Sequence, residues 1–317
     1  MINFINSKPQ YMKRRDFIAG AAAAGLIGTG RFAFGNIEQF APSAPVLPYD
    51  LVAVRGGEPE VMFDKAIQSL GGMKAFVKKG QKVVVKPNIG WDSSPERAAD
   101  TNPNLVKRIV KACYEAGAKQ VYVFDNTCDN WTNCYKNSGI EKAVKDAGGT
   151  MVGGNSKSYY HQVNIPRGKR LKQAEVHELI LDSDVFINVP ILKHHSSSDL
   201  TIAMKNLMGV VWDRGYWHRN DLNQCIADFA TWRKPTLNIV DAYRVMLRNG
   251  PKGVSASDVI TMKQLLISTD IVAIDAAATK IWDPKKDPAK VKHIALANEL
   301  KAGNMNLAQL RINRIKL

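Results

Sequence analysis

The sequence predicts an α/β fold: a mostly parallel sheet with helices on both faces, in Rossmann-like layers. Three observations predict it. Short Val/Ile-rich runs recur without the strict alternation of a sheet wetted on one side, as strands covered on both faces require. Longer segments with helical spacing separate these runs, and such alternation favours parallel strands joined by crossovers. The 317 residues are 45% hydrophobic, enough for a large core and too apolar for wholesale disorder.

The chain divides into residues 1–49, a signal and linker, and residues 50–317, a single α/β domain. "MKRRDFIAGAAAAGLIGTG" (Met12 to Gly30) sets paired Arg14 and Arg15 before Phe17 and a weakly apolar Ala/Gly-rich run. That order predicts a twin-arginine export signal. It implies the twin-arginine translocation machinery as a partner and a periplasmic or otherwise exported location. The run from Phe17 to Gly28 is shorter than the roughly 20 residues a bilayer span needs, so no stable membrane span is expected after processing. "APSAPVLPYD" then reads as an extended Pro-rich linker.

Within the domain, "EVMFDKAIQSLGGMKAFV" reads as helix and "KVVVKPNI" (Lys82 to Ile89) as the first buried strand. "NPNLVKRIVKACYEAGA" is the next helix, with Pro103 in its first turn and Gly117 at its end. "QVYVFDN" (Gln120 to Asn126) is a strand and "GIEKAVKDAGG" a helix. Residues 150–180 are less regular and fit a hairpin or an insertion. "DVFINVPIL" (Asp184 to Leu192), "TLNIVDAY" (Thr236 to Tyr243) and "QLLISTD" (Gln264 to Asp270) are further strands. "DPAKVKHIALANEL" reads as a helix before a terminal strand in "LRINRIKL".

In open parallel sheets ligands bind beyond the carboxyl ends of the strands. Polar residues recur there: Lys86 and Asn88 after the first strand, Asp125 and Asn126 after the second, Asn188, Lys193, His194 and His195 after the third, Asp241 after the fourth. In "SSSDLTIAMKNLMGV", Ser198 or Asp199 reads as a helix N-cap, with Thr201 and Lys205 one turn apart on a shared face. Lysines, a histidine and a helix start suit a carboxylate or phosphate, so a small anionic ligand is expected. "WDRGYWHRNDLNQ" (Trp212 to Gln224), with Arg214, His218 and Arg219, reads as a loop able to close over it. Gly250, Pro251 and Gly253 form a turn that would bring backbone N–H groups to it.

Other classes find less support. Lys plus Arg outnumber Asp plus Glu by 44 to 29, a net charge of +15, but the lysines are scattered, without a dense basic block, and nucleic acid is not expected as a partner. No Walker loop, no G-x-G-x-x-G after a strand and no G-x-S-x-G elbow occurs. Neighbouring histidines on an extended chain point opposite ways, so one faces a given site. One histidine with scattered aspartates falls short of a metal pattern, and no metal is assigned; His195 with Asp199 or Asp125 stays open as an arrangement to test. Of four cysteines, Cys128 and Cys134 flank a short loop and form the natural disulfide pair, although three full pairings are open. No close C-x-x-C spacing supports an iron–sulfur cluster, and no cofactor is identified.

"VVVKPNIG", "TNPNLVKRIVKACYEAGAKQVYVFD", "SDVFINVPILKHHSSSDLTIAMKNLMGVV", "LNIVDAYRVMLRNGPKGV" and "STDIVAIDAAA" together resemble the family called domain of unknown function 362, over roughly residues 50 to 300. The family has no established activity. Many members carry ferredoxin-like cluster segments, a hint of redox chemistry that the missing cysteine pattern weakens here. The resemblance carries over Lys86, Asn88, Lys193, His195, Thr201, Lys205, Asn206 and Gly209. On this reading the protein is an exported enzyme acting on an anionic small molecule. His195, Lys193 and Lys205 are its catalytic candidates, with proton transfer given to His195. Lys86, Asn88, Thr201, Asn206 and Gly209 bind substrate. The competing reading is a periplasmic binding or cofactor-handling protein without turnover.

Overall fold

The computed structural model describes residues 47–317; the segment expected to be an export signal and the start of the linker lie outside the described residues. Strand β1 (Leu51–Arg55) follows the prolines. Helix α1 (Pro59–Ser69) opens with Pro59 in its first turn, where a missing N–H costs nothing, and buries Met62, Phe63, Ala66 and Ile67 along one face. β2 (Lys82–Pro87) leads to α2 (Pro103–Glu115), whose N-cap Asn102 accepts a bond from the Asn104 N–H at 2.9 Å. Gly117 closes that helix at φ +103°, a conformation that favours glycine. Then come β3 (Gln120–Val123), α3 (Trp131–Asn137), α4 (Ile140–Asp146) and β4 (Thr150–Met151).

Residues 150–180 resolve mainly into a hairpin, β5 (Tyr160–Asn164) with β6 (Gln173–His177), which pairs as a separate two-stranded sheet. After α5 (Glu178–Asp182) the chain enters β7 (Val185–Val189), β8 (Ile191–His195) and β9 (Asp199–Thr201). Short helices α6 (Ala203–Asn206) and α7 (Arg214–Arg219) precede α8 (Leu222–Ala230). β10 (Leu237–Met246), β11 (Val259–Ser268), α9 (Ile271–Trp282), α10 (Lys292–Glu299) and β12 (Ile312–Lys316) complete the chain.

Among the described residues one sheet contains ten strands, in the order β12-β1-β11-β10-β7-β2-β3-β4, with β8 paired to β10 and β9 to β8. The run β10-β7-β2-β3-β4 is parallel throughout, while β11 lies antiparallel between β10 and β1. Both faces are covered. Val83 and Val85 join a core with α1 and α2, whereas Val84 points the other way into a core with α6, α8 and α9. That is why these strands read as unbroken apolar runs. The strand predicted over Asp184 to Leu192 is two strands, because Pro190 has no N–H to continue the ladder. Its carbonyl instead accepts the Asp241 N–H at 2.9 Å.

The largest local departure from the sequence reading is at Ser198 and Asp199. They cap no helix: they turn the β8–β9 hairpin, with Asp199 at φ +61°. The helix starts at Ala203 and is four residues long. The carboxylate of Asp275, far along the chain on α9, accepts the N–H groups of Ala203 at 2.7 Å and Met204 at 3.1 Å. The helix start expected to receive an anion is therefore occupied by the protein's own acid. Among the described residues no helix is long and apolar enough to cross a membrane.

Candidate functional site

Side chains alternate along a strand, so Val84 and Lys86 share a face of β2, as do Phe186 and Asn188 on β7, and Asn238 and Val240 on β10. Register sets Lys86 beside Asn188 and Asn188 beside Asn238. Three polar side chains thus stand in a row across three parallel strands, under α6. Asn206, the last residue of α6, closes the row. Its Nδ2 donates to Asn188 Oδ1 at 2.9 Å, and Asn188 donates on to Asn238 Oδ1 at 3.0 Å. The Lys86 ammonium donates to the Asn206 carbonyl at 2.7 Å and to Asn206 Oδ1 at 2.8 Å, and pairs with Asp125 Oδ1 at 3.0 Å. Two of the ammonium's three protons are thus placed on Asn206, and the Asp125 carboxylate neutralises its charge.

Lys86 and Asp125 are 1% and 2% exposed. Burial pulls the lysine down and pushes the acid up from their ordinary values, and their mutual attraction opposes both shifts. Asp125 is further held by the Ile89 N–H at 2.7 Å. Gly209 packs against this pair: a Cβ there would lie 1.8 Å from Asp125 Oδ1 and 2.5 Å from Lys86 Nζ. Its carbonyl accepts the Asn126 N–H at 2.9 Å. Only a residue without a side chain allows that approach.

The β8–β9 hairpin supplies the other wall. Lys193 and His195 share one face of β8, and Thr201 is paired directly opposite Lys193. His194 points away, accepting the Gly250 N–H at 3.0 Å and stacking toward Trp282. Lys193 donates to Asn88 Oδ1 at 3.2 Å and to the Ala99 carbonyl. Asn88 in turn donates to Asn206 Oδ1 at 3.0 Å, which joins the two walls. Burial lowers Lys193 and raises its buried neighbour Asp100, whose Oδ2 has no partner.

Lys86, Asn88, Lys193, His195, Thr201, Lys205, Asn206 and Gly209, all eight residues singled out in the sequence, line one cavity of about 730 Å³. Arg214, His218, Cys128, Asn126, Trp212 and Pro251 line it too. Among the groups lining it without a hydrogen-bond partner in the described residues are Asp125 Oδ1, which is ion-paired with Lys86, and three that can donate. The Lys205 amine is one. The Thr201 hydroxyl, 3% exposed, is the second. His195 Nε2 is the third. The Ser197 N–H donates to His195 Nδ1 at 3.1 Å, so the neutral ring carries its proton on Nε2 and faces the cavity as a donor. Burial, then the charges of Lys205 and Lys193, hold this ring neutral well below the usual histidine range. Burial also brings Lys205 down to about 7.

Several sequence readings change here. Lys86 lines the cavity, but two of its protons go to Asn206 and Asp125 neutralises its charge. The segment Trp212 to Gln224, read as a closing loop, contains helix α7 and the first turn of α8. Asp213 accepts the Tyr216 N–H at 3.0 Å, and Arg214 donates to the carbonyls of Asn126 at 2.8 Å and Thr127 at 2.6 Å. In the turn at Gly250 to Gly253, the Gly250 N–H goes to His194 and the Gly253 N–H to the Asn249 carbonyl. Asp199 is exposed and off the cavity, and Asp125 is paired with Lys86. Among the described residues no three His, Cys, Asp or Glu converge on a metal position. All four cysteines are free, with Cys128 exposed and Cys134 buried. Sequence reasoning missed Asp100 and Asp275, which no strand-end pattern marks, and took Cys128 for a disulfide partner.

The chain is 27% identical over 249 residues to a thylakoid-associated protein of Synechocystis sp., an alignment covering 74% of this chain and 72% of that protein. Among solved structures it aligns with the lactate racemase apoprotein from Thermoanaerobacterium thermosaccharolyticum at a TM-score of 0.42 and 11% identity, covering 67% of this chain and 53% of that one. This chain thus spans about half of that structure, and a likeness so loose carries no argument about activity. Residues 83–280, which bring Lys86, Asp125, the β8–β9 hairpin, Lys205 and Gly209 to the cavity, match the family model described as a domain of unknown function, DUF362, and the chain belongs to that family.

Proposed function

We propose that the protein is an exported enzyme that binds a small anionic molecule in this cavity and moves a proton on it. One observation carries the reading. The Lys205 amine, the His195 Nε2–H and the buried Thr201 hydroxyl lack protein partners and face one space, beside Lys193. Buried polar groups are ordinarily satisfied, and a cluster of unsatisfied donors points to a ligand that accepts. The surrounding charge is cationic once the Lys86–Asp125 pair is set aside, so an anion is the acceptor that fits.

Roles follow from protonation. His195 already carries a proton on Nε2 and is held neutral, so it polarises an oxygen by hydrogen bonding rather than shuttling the proton the sequence reading gave it. Lys205, near neutrality, is the group able to take a proton at pH 7. Lys193, braced by Asn88 and Ala99, keeps one N–H for the anion.

The pH dependence tests the binding half. The folded Lys205 value, about 7, lies below the roughly 10.4 of an unfolded lysine. Its burial therefore costs stability increasingly as pH falls from that upper value to about 7, because the unfolded chain takes the proton first. A bound anion favours the ammonium and relieves that cost. Affinity for inorganic phosphate or sulfate, measured by titration calorimetry at fixed ionic strength, should be highest near pH 6. It should fall by up to about tenfold per pH unit above neutrality. An affinity flat or rising from pH 6 to 9 would remove the reading. Mass spectrometry of what co-purifies from the native host would supply the ligand itself.

Export rests on the Arg14–Arg15 pair and the segment after it. Replacing both arginines by lysine should leave the protein in the cytoplasmic fraction, and unchanged fractionation would refute export by this route.

A further inference from the structure

Cys128 differs from the other three cysteines. Cys113, Cys134 and Cys225 are buried, and burial pushes each thiol up to about 12. Cys128 is exposed and lines the cavity. Its N–H donates to the Gly90 carbonyl at 2.8 Å, which fixes the backbone at the rim. Arg214 Nη1 lies 3.4 Å from its Sγ. Cys128 lines the same cavity as Lys86, Lys193 and Lys205. Independently, the Thr201 hydroxyl, buried and without a partner, marks the same cavity as built for a ligand.

We propose that Cys128 is a nucleophilic residue of this cavity, whose thiol reacts with anionic electrophiles that Lys193, Lys205 and Arg214 draw to it; the proposal rests on the anion-binding reading above. In that step the sulfur forms a bond to an electrophilic carbon of the ligand. The bond from that carbon to its leaving group breaks, the leaving group departs with the electron pair, and the thiol proton goes to solvent. No oxidant or reductant is needed. The chemistry selects ligands that pair a negative charge with an electrophilic carbon.

Iodoacetate and iodoacetamide test this, since they deliver the same carbon and lose the same iodide but differ in charge. Alkylation of Cys128 is followed on the full chain by peptide mass spectrometry. The iodoacetate-to-iodoacetamide rate ratio at Cys128 should be about tenfold or more above its value in the urea-unfolded chain. It should fall as salt screens the lysines, and fall several-fold in Lys205→Met. Cys113, Cys134 and Cys225 should stay unlabelled, which certifies the fold in each sample; if the variant labels there, the salt series on the natural chain decides. Equal ratios in folded and unfolded chain overturn the proposal. If phosphate still raises the melting temperature, the thiol proposal alone has failed; if phosphate binds nowhere, the anion reading has failed with it.

Discussion

Lys86→Met should lower stability by about 3–5 kcal/mol, the range for breaking one side of a buried ion pair. The reason is the company Lys86 keeps. Methionine fills similar space but leaves the Asp125 carboxylate, 2% exposed, with the Ile89 N–H as its main remaining donor. It also strips two donors from Asn206, which anchors the row through Asn188 and Asn238. For a domain of this size the melting temperature should fall on the order of ten degrees. Replacing Asp125 by Leu in the same chain should recover part of the loss, since removing both charges together leaves none unpaired. A melting temperature within a degree of the natural protein's would show that the pair does not hold the fold.

Lys205→Met should do the opposite. This lysine has no protein hydrogen bond to lose, and methionine keeps its apolar stem in place. Stability should stay level or rise slightly, because a charge leaves a desolvated position. Anion affinity should fall ten- to about a hundredfold, the worth of one charge-assisted hydrogen bond. Once the natural ligand is known, Lys205→Met should also abolish turnover, whereas His195→Ala should slow conversion far more than it weakens binding. If His195→Ala costs only affinity and no conversion occurs in any form, the protein binds without reacting. A Lys205→Met variant that melts early yet binds normally would assign the amine to the scaffold.

Much of this was legible before any coordinates. Strand periodicity and the rule that ligands gather at strand ends were enough to collect Lys86, Asn88, Lys193 and His195, because those residues are near their strands in sequence. Alternation along a strand implied that one of His194 and His195 faces a site, and the family resemblance picked His195. What stayed hidden depended on partners far along the chain. Asp275 caps α6 from 72 residues away, so the helix start looked vacant. Lys86 looked like a ligand-binding cation because its partners, Asp125 and Asn206, are far from it in sequence. β1 went unread because five residues after a proline-rich stretch offer too short a pattern. Cys128 and Cys134 are close in sequence, but one turns to the cavity and the other into the core.

The cavity's walls come from Lys86 to Pro251, a span that includes β2, the turn after β3, the β8–β9 hairpin, α6 and the turn before β11. Lys193, His195, Thr201 and Lys205 are close in sequence, but the walls that enclose them come from across that span. Occupancy is thus a late event, a keystone set only after the arch stands. A molecule present at a hundred times its dissociation constant would add about 2.7 kcal/mol to the whole assembly, so a loaded chain would be a finished one.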